Sequence, residues 1–143
     1  MTIVMQMSTD PDIVDTALDA AWQPVTNRYS WAQIKTMNLG IAAAKTIVVI
    51  AHGNNTEIGN AKAGKVDIVA ETFLALIQGN MQGAAPAKIF ISTCGQGIAQ
   101  FAARVRLAAE QNDIWSGTKI FGHSDPVYGP VPPPHDVRWF EIF

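Results

Sequence analysis

A chain of 143 residues, 48% hydrophobic and 15% charged, is long enough to enclose one core and too apolar for a disordered segment. Its formal charge of −2 and pI near 5.8, with Lys and Arg never adjacent, leave no electrostatic footprint for nucleic acid or an anionic membrane. No stretch reaches the roughly 18 apolar residues of a membrane span, and the lone cysteine excludes an internal disulfide and a Cys-rich zinc cage.

Met1–Met7 is apolar but carries no basic leader and no cleavage site, so it reads as a first strand rather than a signal peptide. The expected setting is the cytoplasm, or export without such a peptide. Asp10-Pro11 offers an N-cap followed by proline in the first helical position. Ile13, Ala17, Leu18 and Ala21 then share a face, which predicts a helix to about Ala21. Ser30 and Gln33 are spaced as a capping box, opening a second helix over 31–37 or slightly beyond.

The β-branched run Thr46–Ala51 suits a strand covered on both faces, and it ends in the turn chemistry of His52-Gly53-Asn54-Asn55. A Gly- and Lys-bearing loop runs to about Gly64, with Glu57 and Asp67 as solvated loop and helix-start residues. Val66, Val69, Ala70, Phe73 and Leu76/Ile77 recur at helical spacing, and Gly79-Asn80 stops that helix. A second buried strand, Ala87–Thr93, ends at Cys94-Gly95, and an amphipathic helix follows to about Gln111. Lys119–Phe121 is a third strand, running into Gly122-His123-Ser124-Asp125. After a proline-rich turn, Val137–Phe143 is a closing strand.

Strands alternating with helices predict a single three-layer α/β/α sandwich over residues 1–143 with a mostly parallel sheet. Ligands in such folds bind beyond the carboxyl ends of the strands, where His52, Cys94 and Asp125 all fall. A thiol in a tight turn near a helix N-terminus has its thiolate stabilised. A neighbouring imidazole serves as base and then as acid toward a leaving amine. Gly53 allows close backbone approach, and its N–H together with that of Cys94 suits a tetrahedral oxyanion. The plainer alternative stays open, since free cysteine is among the most buried residue types.

The segments IVVIAHGNN and KIFISTCGQG, some forty residues apart, resemble the caspase-like (clan CD) cysteine peptidases, which include CHAT-type domains and the self-processing protease domains of bacterial toxins. The resemblance implies a thiol protease that hydrolyses peptide bonds through a thioester acyl-enzyme. His52 matches the catalytic histidine, Cys94 the nucleophile and Gly53 an oxyanion contributor. Thr93 departs from the small residue common before the cysteine. KIFGHSDPVYG resembles the strand that helps line the substrate pocket, so His123, Ser124 and above all Asp125 become pocket candidates, an acid there favouring Arg or Lys before the cut. The Ser-Asp-Pro turn also has a purely structural reading. The dyad class needs no third carboxylate.

A peptide or protein is the implied partner, with no metal and no organic cofactor. His52, His123 and His135 lack HxH or HExxH spacing. One rival is an inactive caspase-like binding or assembly module, with Trp22, Trp31, Trp115 and Trp139 as a partner surface and homodimerisation through an edge strand at Trp139–Phe143. Core packing is the bland reading of those tryptophans. Another rival is a Rossmann-like nucleotide or phosphate loop at Gly95-x-Gly97, where Gln100 holds the third glycine position. Neither GxxxxGK[ST] nor GxSxG occurs, which removes a P-loop NTPase and an α/β-hydrolase serine.

Overall fold

The computed structural model describes residues 1–42, 45–59, 66–83 and 85–143. The apolar amino-terminal run forms β1 (Thr2–Gln6), buried along its whole length. A one-turn helix α1 (Pro11–Val14), a 3-10 turn at Ala20–Trp22 and β2 (Val25–Tyr29) come next. They are followed by α2 (Trp31–Ile34), β3 (Thr46–Gly53), β4 (Glu57–Gly59) and β5 (Val66–Val69). Helices α3 (Ala70–Asn80) and α4 (Ile98–Gln111) flank β6 (Lys88–Thr93) in sequence, and β7 (Lys119–Gly122) and β8 (Phe140–Ile142) close the chain.

The main sheet has the order β2-β1-β3-β6-β7-β8. Pairing is parallel from β2 through β7, and β8 runs antiparallel to β7 at the edge. The chain therefore leaves β1 toward one edge and returns to build the rest on β1's other side, so β1 and β3 flank a topological switch point.

Alternation along the central strands divides the core in two. Ile3, Met5, Ile47, Val49, Ala51, Ile89 and Ile91 face α2, α3 and α4, meeting Ile34, Phe73 and Phe101. Val4, Val48, Ile50 and Phe90 face the opposite way, onto Ile13, Trp22, Val131 and Trp139. The architecture is thus the three-layer sandwich with a mostly parallel sheet. Its second outer layer is thin, made of α1, the 3-10 turn and the proline-rich segment before β8. There Phe90 stacks on Phe121 at 4.3 Å and meets Trp22 and Trp139 edge-on. The indole N–H groups of Trp22 and Trp139 donate to the carbonyls of Pro132 and Pro133. Trp22, Trp115 and Trp139 are buried and Trp31 is packed against the core, so the tryptophans build the interior rather than a partner surface.

Several predicted elements are shorter than their patterns. The helix expected to reach Ala21 ends at Val14. Beyond it Ala17 and Leu18 are drawn into extended pairing with Val131, whose N–H bonds the Ala17 carbonyl at 2.8 Å. The Arg28 guanidinium, reaching across from β2, takes up the carbonyls of Val14 and Thr16. The Ser30–Gln33 capping box forms, but α2 makes a single turn before Met37 turns left-handed at φ +57°. The helix expected from Val66 starts at Ala70, because Val66–Val69 pairs first with β4. The closing strand begins at Phe140, since Asp136–Trp139 forms a turn braced by the Asp136–Arg138 ion pair. Residues 60–65 of the Gly- and Lys-bearing loop lie outside the described residues, as does the side chain of Asp67. Among the described residues no helix is long and apolar enough to cross a membrane.

Candidate functional site: a thiol, an imidazole and two carboxylates

Strands β3 and β6 are hydrogen-bonded neighbours, and Ala51 and Thr93 are their last aligned pair. The next residue on each strand is His52 and Cys94, so parallel pairing in this register delivers both side chains to one sheet end. His52 Nδ1 lies 3.1 Å from Cys94 Sγ. Both residues are partly buried, the His52 side chain at 14% exposure.

The other face of the imidazole has partners that no sequence motif announced. His52 Nε2 is 3.2 and 3.1 Å from the two carboxylate oxygens of Asp12, and 3.4 Å from Asp10 Oδ2. Asp10 is buried and Asp12 is 65% exposed at its side chain. Both come from the segment after β1, which lies on β3's other flank. Three adjacent parallel strands thus contribute the carboxylates, the imidazole and the thiol in that spatial order. Asp10, Asp12 and His52 also bring one ligand atom each within 4.8 Å of the others, the only arrangement among the described residues suited in this way to hold a metal ion.

A cleft of about 480 Å³ opens at this end of the sheet. Cys94 and Asp12 lie in its wall with Ile13, Ser92, Tyr128 and Pro130. No family model matches this chain, and neither a curated protein nor a solved structure matches it. The chemistry of the cleft therefore rests on its own geometry.

That geometry changes one expectation about the thiol. Helix α4 begins only at Ile98, after Gly97 in the left-handed region at φ +77°. Gly97 N–H and Ala99 N–H donate to the carbonyls of Ser124 and His123. The start of α4 is thus bound to the loop after β7. Burial pushes the Cys94 thiol up from its ordinary value of 9.0, the Asp12 carboxylate pushes it the same way, and a bond from its own backbone only partly offsets them. The thiol is thus held toward its protonated form, which calls for a base during attack.

The three pocket candidates after β7 are placed differently from the expectation. His123 is buried at 1% exposure. Its Nδ1 meets the Asp125 carbonyl at 2.7 Å and its Nε2 meets the Thr93 N–H at 3.1 Å. Ser124 and Asp125 are exposed. The cleft is instead lined by four residues just beyond Pro126, namely Val127, Tyr128, Gly129 and Pro130, because His123 pins the start of the loop to β6. Gly95 packs on Gly53: a Cβ at Gly95 would lie 1.6 Å from the Gly53 carbonyl oxygen. The Gly95 N–H donates to Thr93 Oγ1 and the Gly97 N–H to Ser124, so this loop turns its donors inward, unlike a phosphate cradle.

Proposed function

We propose that the chain is a caspase-like cysteine hydrolase that cleaves peptide bonds, with Cys94 as nucleophile and His52 as general base and acid. The observation that carries this reading is the 3.1 Å approach of His52 Nδ1 to Cys94 Sγ, with Cys94 in the wall of a cleft large enough for a peptide side chain. Hydrogen-bond reach between nucleophile and base is the first requirement of such chemistry.

In the proposed reaction the Cys94 proton passes to His52 Nδ1 as sulfur attacks the scissile carbonyl carbon. The carbonyl electron pair moves to oxygen, facing the backbone N–H groups of Gly53 and Cys94 as an oxyanion hole. Collapse breaks the C–N bond, and the amine departs with the proton held on His52, leaving a thioester on Cys94. Water then repeats the sequence, giving up a proton to His52 and releasing the acid. Residues 127–130, rather than Ser124 or Asp125, meet the substrate side chain.

A peptidyl acyloxymethyl ketone, which alkylates only thiols activated in a substrate-like pose, tests the reading. Intact-mass analysis is expected to show one adduct, mapped to Cys94 and absent from Cys94→Ala. His52→Ala is expected to slow labelling at least ~100-fold, the low end of what a positioned base contributes. Labelling that ignores His52→Ala would replace the hydrolase with a binding module on the same scaffold.

A further inference from the structure

We infer that Asp12, backed by Asp10, is a positioning residue for His52, which makes the centre a thiol–imidazole–carboxylate relay rather than a two-residue dyad. The inference rests on the hydrolase reading and adds a third participant to it. A neutral imidazole has one N–H and one lone pair, so its two tautomers present opposite groups to the thiol. Only the tautomer with hydrogen on Nε2 leaves Nδ1 free to accept the Cys94 proton. The carboxylate oxygens of Asp12 at 3.1 and 3.2 Å and of Asp10 at 3.4 Å all lie on the Nε2 side, and a carboxylate there accepts the Nε2–H bond.

The same carboxylates face the imidazolium that forms when the thiol proton arrives. Burial and Asp12 itself both disfavour the thiolate half of the thiolate–imidazolium pair. The pair forms as sulfur attacks, and its positive half then lies between sulfur and carboxylate. A negative charge beside the ring thus favours the state along the reaction over the state before it, which is the condition for catalytic effect. The backbone supports this arrangement. Pro11 in the first turn of α1 fixes the chain between the two aspartates, and Arg28 holds the carbonyls of Val14 and Thr16 at the far end of that turn.

Two measurements on the intact protein decide the matter. The first is the 15N chemical shift pair of the His52 ring, which reports the tautomer without any turnover. Wild type is expected to show protonated Nε2 and unprotonated Nδ1 in the neutral ring. Asp12→Ala combined with Asp10→Asn is expected to average the two nitrogens, and Asp12→Glu to restore the wild-type pattern. The second is acylation by p-nitrophenyl acetate, in which the Cys94 S–C bond forms, the ester C–O bond breaks and p-nitrophenolate leaves. Asp12→Ala is expected to lower that rate by roughly fivefold, in keeping with a solvent-facing charge pair, and the double variant further, at unchanged KM. Asp12 is exposed, so its replacement leaves folding intact. Tautomer shifts and acylation both unchanged in the double variant would overturn the inference while a strong His52→Ala effect kept the hydrolase reading. Acylation indifferent to His52→Ala would overturn that reading, and the ring shifts would still judge the carboxylates.

Discussion

The buried His123 imidazole receives the Thr93 backbone N–H on Nε2, one residue before Cys94, while its own Nδ1 faces the Asp125 carbonyl 2.7 Å away. A carbonyl can only accept, so Nδ1 carries the hydrogen and Nε2 is left as the acceptor. One neutral tautomer therefore ties the end of β6 to the loop that leads into the cleft wall, and it fixes the height at which the thiol leaves the sheet.

Acid should break this tie. Burial lowers the His123 pKa from 6.5, with Arg138 adding in the same direction and the Asp125 backbone and charge opposing. A histidine depressed in the folded state contributes stability that is complete above about 6.5 and is lost as pH falls through its folded value. Unfolding free energies from urea titrations are expected to drop between pH 7 and 5 by up to about 1.4 kcal/mol per pH unit from this residue. His123→Gln, which keeps an acceptor but cannot titrate, should start lower and show a flatter profile. Parallel profiles for the two proteins would refute the assignment.

Gly95→Ala is expected to separate the thiol from the imidazole. The added methyl would meet the Gly53 carbonyl oxygen at 1.6 Å, a backbone atom that has no rotamer in which to escape. Either the β3 end carrying His52 or the turn carrying Cys94 must move. The expected cost is about 2–3 kcal/mol in thermal unfolding, at the upper end for overpacking, with loss of His52-dependent labelling. Gly117→Ala, with open space around the position, serves as the control and should be close to neutral.

The layered scaffold and the thiol–imidazole pairing were legible in the sequence because both rest on buried β-branched runs of unmistakable period. TIVVIA and KIFIST forced neighbouring parallel strands, and their last residues had to emerge together. What escaped was set by contacts far along the chain. Asp10 reads in sequence as an N-cap and Asp12 belongs to no motif, and only the β2-β1-β3 order brings them beside His52. Strand β2, Val-Thr-Asn-Arg-Tyr, is an exposed edge with no apolar alternation to read. The Ser-Asp-Pro turn drew attention as a pocket, yet the neighbouring His123 holds it to β6 and gives the cleft to residues 127–130. A histidine directly after a buried strand was the available signal for that structural role.

Asn80, which in sequence only marks a helix stop, is fully buried and joins two separate parts of the fold. Its amide nitrogen donates to the carbonyls of Ile34 and Leu76, and its carbonyl oxygen accepts from Leu39 N–H at 3.2 Å. Asn80→Leu removes every one of these bonds and leaves the Leu39 N–H with no side-chain acceptor. A loss of about 2–4 kcal/mol in chemical denaturation is expected, from one or two buried groups left unpaired. Asn80→Asp should be at least as costly, because its new oxygen would face the carbonyls of Ile34 and Leu76. A loss below ~0.5 kcal/mol in Asn80→Leu would mean that water replaces the side chain there.

The resting protonation of Cys94 gives the last prediction, and it runs against the preformed thiolate often associated with reactive cysteines. Burial and the Asp12 charge hold the thiol above 9.0, so iodoacetamide alkylation is expected to climb with pH and to turn over only beyond that value. Asp12→Asn removes the second cause and should bring the inflection down, even as it slows acylation by p-nitrophenyl acetate. These opposite responses separate the effect of charge on the thiolate from its effect on the imidazole. The linkage has a definite sign. A thiol raised in the folded state contributes stability that is intact below the unfolded value, and that stability declines as pH rises through the folded one. Wild type should therefore lose stability in alkaline solution relative to Cys94→Ala. An alkylation inflection near neutral pH would show that the thiolate–imidazolium pair already exists at rest, and the requirement for proton removal during attack would fall with it.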